Sequence, residues 1–172
     1  MAYTVLNIGK MASTTVDSFV KVGVNATTDI MNGAHVVKLG YSALNKDAYI
    51  CSTPTAVTTQ EVYLVDGPVV IRDSFGAKVN FADPRKFINP MGEEFRIRRL
   101  VQGDRITMTL DGFASAPTVG QFAVPANTAY TLAPAANLTG ATLIAYEVLE
   151  QTTISVGLEQ VVAYVLEVVR AL

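Results

Sequence analysis

Short runs of alternating apolar and polar residues recur along this chain, and their rhythm is the feature that most limits its fold. In "RITMTLD" (105–111), Ile106, Met108 and Leu110 alternate with polar residues, which is the period of two expected of a half-buried strand. Such runs return roughly every ten residues, with Gly, Pro, Asn or Asp at the joints. This spacing predicts a β-sandwich or a small β-barrel and argues against alternating β and α units.

Turn signals separate further candidate strands. The pair Asn32-Gly33 stands directly before "HVVKLG" and is a strong short-range turn signal. The C-terminal "LEQVVAYVLEVVRAL" has apolar residues at helical spacing, but its density of β-branched valines favours a strand. The remaining candidate strands are "SFVKVGVN", "AYICS", "EVYLVD", "VVIRD", "EFRIRRLV", "AYTLAP", "ATLIAYEVLE" and "TTISVG".

Residues 73–94 differ from the strands around them. This stretch, "DSFGAKVNFADPRKFINPMGEE", mixes charges with prolines and aromatic residues. We expect a long irregular loop between two β halves. The predicted fold is therefore one mainly β domain over residues 1–172, a small β-barrel or β-sandwich with a long irregular loop around 73–94. Its N-terminal segment, residues 1–18, is expected to be flexible or to contact a partner.

The composition indicates extensive burial. Of the 172 residues, 50% are hydrophobic and 16% are charged, against about 25% charged in a typical soluble domain. No apolar run reaches the roughly 18 residues that a membrane-spanning helix needs. A chain that buries more surface than its own core requires would explain the low charge, which points to assembly with other chains.

The charge and cysteine content exclude several classes of protein. A net charge of −2 and an isoelectric point near 5.3 do not suit a nucleic-acid-binding domain. Cys51 is the only cysteine, so a disulfide within the chain is impossible and a disulfide-stapled secreted domain is excluded. The N-terminus lacks the pattern of a signal peptide. We therefore expect synthesis in a reducing cytoplasm, with no membrane and no nucleic acid among the partners.

One long stretch carries no charge at all. From Gly112 to Tyr146 the sequence has no Asp, Glu, Lys, Arg or His, whereas exposed loops and linkers usually carry charge to stay solvated. We predict a surface that the rest of the fold or a partner covers, with Phe122, Tyr130 and Leu132 as candidate interface residues. The alternative is a pair of buried strands flanked by neutral loops, and both interpretations can hold at once.

Arginines form the densest group of charges. If 94–101 is a strand, alternate arginines share one face, and the next arginine follows a glycine turn. One interpretation is a patch that pairs with an acidic partner or a neighbouring subunit. The other is a solvated sheet face above buried apolar residues. The arginines are Arg96, Arg98, Arg99 and Arg105, of which Arg96, Arg98 and Arg105 are candidate interface residues, and the apolar residues are Phe95 and Ile97.

The sequence predicts no catalytic, cofactor or metal site. His35 is the only histidine, and no spacing sets a nucleophile and an acid beside it, so we expect it at a strand start on the surface or in an interface. One His and one Cys cannot complete a zinc ligand set, and the carboxylates are scattered. Neither a GxGxxG nor a GxxxxGK[ST] phosphate-binding loop is present.

The order of the β segments resembles that of virion structural proteins of tailed phages, in particular capsid decoration proteins (cement or head auxiliary proteins). The pattern D-x-Y-x-C/A-x-x-P is matched by Asp47, Tyr49, Cys51 and Pro54, and x-V-Y-L-V by residues 62–65. "GDRITMTLDGF", "AVPANTAYTLAPA", "AYEVLEQTTISVG" and "VVAYVLEVVRAL" follow in the same order. The stretch 73–94 departs from the small barrel members of that group.

This resemblance implies a non-enzymatic protein without cofactors, located in the virion after synthesis in the host cytoplasm. Copies would bind the outer capsid surface, bridge major capsid protein subunits and stabilise the assembled shell, with a homo-oligomer, a trimer in particular, as the expected state. The alternatives are a tail-tube, head–tail joining or fibre-base subunit and, of another class, an enzyme or a small-ligand-binding β-barrel, which predicts a deep pocket. A carbohydrate-binding module would need exposed aromatic platforms, and the chain has no Trp.

Overall fold

The fold is mainly β, as the sequence predicts, and the helices among the described residues are single 3-10 turns. A computed structural model describes residues 3–67, 71–72, 78–79, 83–138 and 142–172. In chain order the strands are β1 (Leu6–Ile8), β2 (Val20–Val24), β3 (His35–Tyr41), β4 (Ala48–Ser52), β5 (Val62–Val65), β6 (Ile71–Arg72), β7 (Lys78–Val79), β8 (Glu94–Arg99), β9 (Arg105–Thr109), β10 (Phe122–Pro125), β11 (Leu132–Ala135), β12 (Ile144–Val156) and β13 (Glu159–Ala171). Four short 3-10 helices cover Ala12–Thr14, Asp17–Phe19, Pro84–Lys86 and Leu110–Gly112.

The first half of the chain forms a closed five-stranded barrel. The strand order is β2-β4-β3-β5-β8, closed by pairing of β8 with β2. Only the pair β2–β4 is parallel. Alternate residues of each strand point inward, as the period of two requires, and they fill the barrel with one apolar cluster. Its members include Val36, Cys51, Val65, Phe95 and Ile97.

The second half forms an antiparallel sheet of six strands. The order is β1-β9-β13-β12-β10-β11. Its centre is the long hairpin of β12 and β13, which turns through Gly157 and Leu158. Gly157 has φ of +61°, the left-handed backbone that a two-residue hairpin loop needs at its first position. The runs "ATLIAYEVLE" and "TTISVG" thus belong to one continuous strand.

The barrel packs against this sheet through β3 and β5. Val37, Val62 and Leu64 point away from the barrel interior and join Ile106 and Leu166 of the sheet in a second apolar cluster. All four residues of β5 are buried as a result. A strand buried on both faces reads as an unbroken apolar run, which explains the sequence "VYLV".

The N-terminal segment is attached to the sheet. β1 pairs with β9, Met11 is buried, and the Ala12 backbone N–H donates to Asp104 Oδ1 at 2.8 Å. Flexibility of residues 1–18, or their contact with a partner, stays a prediction.

The stretch 73–94 forms the predicted long connection between β6 and β8, and its described residues include short regular elements. Within it, β7 pairs with β6, and Pro84–Lys86 form a 3-10 helix capped by the Asp83 side chain. Asn89 bridges to Ile30. Residues 73–77 and 80–82 lie outside the described residues. Two other predictions are confirmed, since the C-terminal segment is a strand and Gly33 turns the chain before β3 with φ of +78°.

His35 corrects an expectation, because it lies on neither a surface nor an open interface. It is completely buried between the barrel and the sheet. Its Nε2 lies 2.8 Å from the hydroxyl of Tyr146, which is also fully buried. Among the described residues, Nδ1 has no hydrogen-bond partner of good geometry. Burial lowers the pKa of His35 to about 4, because the charged ring would lose its hydration.

The buried imidazole predicts a loss of stability in mild acid. In the unfolded chain His35 takes up a proton near its ordinary pKa, whereas the folded chain resists protonation until its pKa of about 4. Stability therefore falls as the pH drops from about 6.5 towards 4. We expect this one group to remove roughly 2 kcal/mol between pH 7 and pH 5.

Urea denaturation of the wild type and of His35→Gln at both pH values measures this effect. The Gln side chain does not titrate and its Nε2 can still reach Tyr146. The pH-dependent loss should be smaller in His35→Gln by that amount, and an equal loss in both proteins would show that His35 is not responsible.

Gly23 allows β2 to pass close to the barrel interior. A Cβ at this position would lie 2.7 Å from Cys51 Sγ and 2.9 Å from the ring of Phe95. Gly40 in β3 has open space around its missing Cβ. We expect Gly23→Ala to lower the free energy of unfolding by about 1–3 kcal/mol through overpacking, and Gly40→Ala to change it by less than about 0.5 kcal/mol. Chemical denaturation compares the two, and an equally mild effect of Gly23→Ala would contradict this description of the barrel interior.

Candidate interaction surface

The uncharged stretch from Gly112 to Tyr146 divides into core and surface. Ala123, Ile144 and Tyr146 are completely or almost completely buried within the shared apolar cluster. Residues 114–120 form a loop that is exposed except at Pro117, with Val119 48% exposed. Both interpretations of the stretch therefore hold, each for part of it.

The three apolar candidate residues occupy different environments. Leu132 is completely buried, so it belongs to the core, and its assignment to an interface is wrong. Tyr130 is half-buried against the barrel core, where its hydroxyl accepts a hydrogen bond from Asn25 Nδ2 at 2.7 Å. Phe122 is half-buried in β10. Contact of Phe122 or Tyr130 with another chain stays a prediction.

Arg96 and Arg98 share one face of β8, as predicted, but an acidic residue of the same chain already holds them. Asp66 Oδ2 lies 2.7 Å from Arg96 Nη2 and 2.6 Å from Arg98 Nε. Arg98 Nη1 also donates to the carbonyl of Ser13 at 3.1 Å. Arg98 is only 7% exposed, so this side chain neither belongs to a solvated face nor reaches an acidic partner.

The other two arginines are paired elsewhere. Arg105 lies in the six-stranded sheet, not in the barrel, and forms an ion pair with Glu167 of β13. Arg99 Nε lies 2.9 Å from Glu61 Oε1. The four arginines therefore do not form one uncompensated basic patch. Arg105 and Arg99 are half exposed, and a surface role for Arg105 stays a prediction.

Sequence reasoning missed the turn end of the β12–β13 hairpin, where the outer edge of β12 is open. This end still contacts the rest of the fold, because Val156 is only 4% exposed and Glu159 forms an ion pair with Arg85. We call residues 150–162 the arm. β10 pairs with β12 only at residues 122–123, and β9 pairs with β13 only from Ala163 onward. Among the described residues, no strand pairs with the outer edge of β12 beyond Val148. Leu158 at the turn is fully exposed.

The exposed loop and the arm form a continuous surface. The Gly120 N–H donates to the Val148 carbonyl at 2.8 Å, and the Val148 N–H donates to the Gln121 carbonyl at 2.9 Å. The loop thus ends at the point where the open edge of β12 begins. We call residues 114–120 together with 151–158 the neutral surface. Across the whole range 112–158 the only charged residues are Glu147 and Glu150.

Among the described residues, the single thiol is buried and no cluster of metal-ligating side chains is present. Burial raises the pKa of the Cys51 thiol to about 11, which keeps it protonated and weakly nucleophilic. Within the described ranges, no group of three His, Cys, Asp or Glu side chains is placed to hold a metal ion. No helix in the described part of the chain has the length and apolar character needed to cross a membrane.

Two concavities lie in the described surface, and a ligand carrier or enzyme would need a deep pocket. A cleft of about 190 Å³ between barrel and sheet includes Glu61 and Arg99, which pair with each other. A groove of about 510 Å³ is lined partly by Arg96 and Arg98, whose guanidinium groups are held by Asp66. In both concavities the arginine side chains are already engaged by carboxylates of the same chain. Ligand pockets usually offer uncommitted polar groups in an apolar cavity of about 300–1,000 Å³.

Comparison of the chain with protein-family models, with curated proteins and with solved structures gave no match. The chain combines a closed barrel and a six-stranded sheet with a neutral exposed surface.

The pairing around Asp66 predicts that removal of the Asp66 carboxylate lowers the free energy of unfolding far more than removal of the Glu167 carboxylate. Asp66→Asn leaves the buried Arg98 guanidinium without its counter-charge and should lower the free energy of unfolding by about 3–5 kcal/mol. Glu167→Gln removes the partner of the half-exposed Arg105 and should cost about 1 kcal/mol or less. Urea denaturation at neutral pH measures both, and similar small effects would show that the Asp66 cluster is hydrated.

Proposed function

We propose that this protein is a non-enzymatic virion structural protein that binds the outer surface of a tailed-phage capsid. It stabilises the assembled shell by bridging major capsid protein subunits. The observation that supports this proposal is the neutral surface, in which a loop and a strand edge are exposed without a single charged residue. The resemblance of the segment order to decoration proteins points to the same role.

The physical argument concerns the cost of removing water from a surface. A charged group that loses its hydration in an interface must find a partner or destabilise the complex. The cores of protein interfaces are accordingly depleted in charged residues. Residues 114–120 and 151–158 offer hydroxyl, amide and aliphatic groups, which another protein surface can cover at a much smaller cost.

Weak contacts to several neighbouring subunits of a shell together give strong binding. Each copy needs only modest affinity when it contacts two or more neighbouring subunits, because the second contact is made at high effective concentration. A protein that binds the assembled shell and not the free subunits stabilises the shell by mass action. The stiff body of barrel and sheet suits this role, since little order has to be gained on binding.

A second candidate is a tail-tube, head–tail joining or fibre-base subunit. The arm favours it, because a strand with an open edge can pair with the next subunit in a ring or filament. Symmetry separates the two proposals: a six-membered ring or a filament indicates a tail component, whereas saturable binding to capsids indicates decoration.

Shell binding tests the capsid proposal directly. Purified protein is mixed with expanded, empty shells of the phage that encodes it, and the bound copies per shell are counted after sedimentation. Leu158→Asp places a charge on the neutral surface. Leu44→Asp is the control, because it places the same charge at a fully exposed leucine that lies outside the neutral surface. We expect Leu158→Asp to weaken shell binding at least about tenfold and Leu44→Asp to bind like the wild type.

Both leucines make few contacts in the single chain, so neither change should alter the melting temperature by more than about 2 °C. Absence of saturable binding by the wild type would overturn the capsid proposal. Equal binding by both variants would overturn the assignment of the arm to the contact.

A further inference from the structure

We propose that the open edge of β12 pairs with the same edge of a second copy of this chain, antiparallel and about a two-fold axis at Thr153. The two six-stranded sheets would then continue into one another. This inference concerns contact between copies and does not depend on the capsid as the partner.

The hairpin turn fixes which backbone groups are free. A two-residue loop closes on a hydrogen-bonded pair, here Val156 and Glu159. Hydrogen-bonded and non-hydrogen-bonded pairs alternate along an antiparallel ladder. The N–H and C=O groups of Gln151, Thr153 and Ser155 therefore point away from β13, and none of them has a partner among the described residues.

This edge lacks the usual protection against pairing. Natural sheets blunt exposed edges with lysine, proline, a bulge within the edge or a covering segment. Residues 151–156 read "QTTISV", which contains neither charge nor proline and is rich in β-branched residues. The register shift that follows Val148 lies before this segment and leaves it regular. An unprotected edge of this kind is a template for strand addition.

The segment is complementary to itself. With Thr153 on the axis, it faces Thr153 of the second copy, and threonine pairs across strands are favourable. Gln151 faces Ser155, and roughly six backbone hydrogen bonds form from the three outward residues. Glu150, the one charge near the edge, faces the apolar Val156, so no like charges meet.

In the same register, each copy covers Val119 and Leu158 of the other, which are the two large exposed apolar residues of the neutral surface. In this register the turn at Leu158 of one copy ends beside Val148 of the other, where Gly120 and Gln121 of that copy already occupy the edge of β12. The fully exposed Leu158 of one copy thus meets the loop that carries Val119 of the other, and this contact occurs twice. The open edge between Val148 and the turn at Leu158 has its centre at Thr153, so two copies of this edge cover one another along their whole length, which is the argument for a second copy as the occupant.

Substitutions at the self-facing position test the pairing. Thr153→Lys and Thr153→Glu each place like charges opposite one another across the axis, whereas an equal mixture of the two variants places opposite charges there. Sedimentation equilibrium over a concentration series should give the wild type a mass of twice 18.4 kDa. Each variant alone should dimerise at least about tenfold more weakly, and the mixture should regain dimers.

Thr58→Lys, at an exposed threonine of a turn outside the neutral surface, is the matched control and should dimerise like the wild type. Circular dichroism and melting temperature check that each variant is folded. A monomeric wild type at all concentrations, a trimer, or a dimer that tolerates both charges at 153 would overturn the proposal.

Shell binding separates this inference from the proposed function. If Thr153→Lys is monomeric yet still binds shells, pairing of β12 stands and attachment to the capsid does not require the strand edge at Thr153. If the wild type dimerises through β12 but does not bind shells, only the capsid proposal fails.

Discussion

The burial of β3 and β5 on both faces holds the two halves of this protein together. Their inward side chains complete the barrel, and Val37, Val62 and Leu64 on the other face join the core of the six-stranded sheet. His35 lies in the same layer, fully buried beside Tyr146. Because the inner strands contribute to two cores, a change in one core affects the packing of the other. The end of the β12–β13 hairpin extends beyond the strands that flank it and is held to the body by the ion pair of Glu159 with Arg85.

The distribution of charge follows from this architecture. Arg98 and Asp66 satisfy one another within the fold, while Arg105 and Arg99 are paired at its surface. Ionic interactions thus organise the single chain, and the stretch 112–158, which is nearly free of charge, supplies the exposed loop and the arm. An electrically neutral, hydrogen-bonding edge suits contact with protein, because backbone groups recognise an extended strand without the desolvation cost of ions.

The sequence predicts the class of fold well and the surface only in part. Alternation in "RITMTLD" and the Asn32-Gly33 turn are local signals, and the strands they predict are present. The burial of Leu132 and His35 depends on the packing of barrel against sheet, which no local pattern encodes. The pairing of Arg98 with Asp66 joins positions 32 residues apart for the same reason. The open edge of β12 was missed because a strand's neighbours, and not its own residues, decide whether it lies at an edge; the one available signal was the long uncharged run "QTTISVGL".

We propose that the neutral surface becomes covered on assembly. Hydrogen exchange of the backbone amides, compared between the protein diluted to its monomeric state and the shell-bound protein, measures this covering. The outward amides of Gln151, Thr153 and Ser155, and the amides of residues 115, 116, 118 and 119, should exchange quickly in the monomer and become protected on assembly. Unchanged rapid exchange at these positions, with protection gained on another face of the molecule, would refute the proposal.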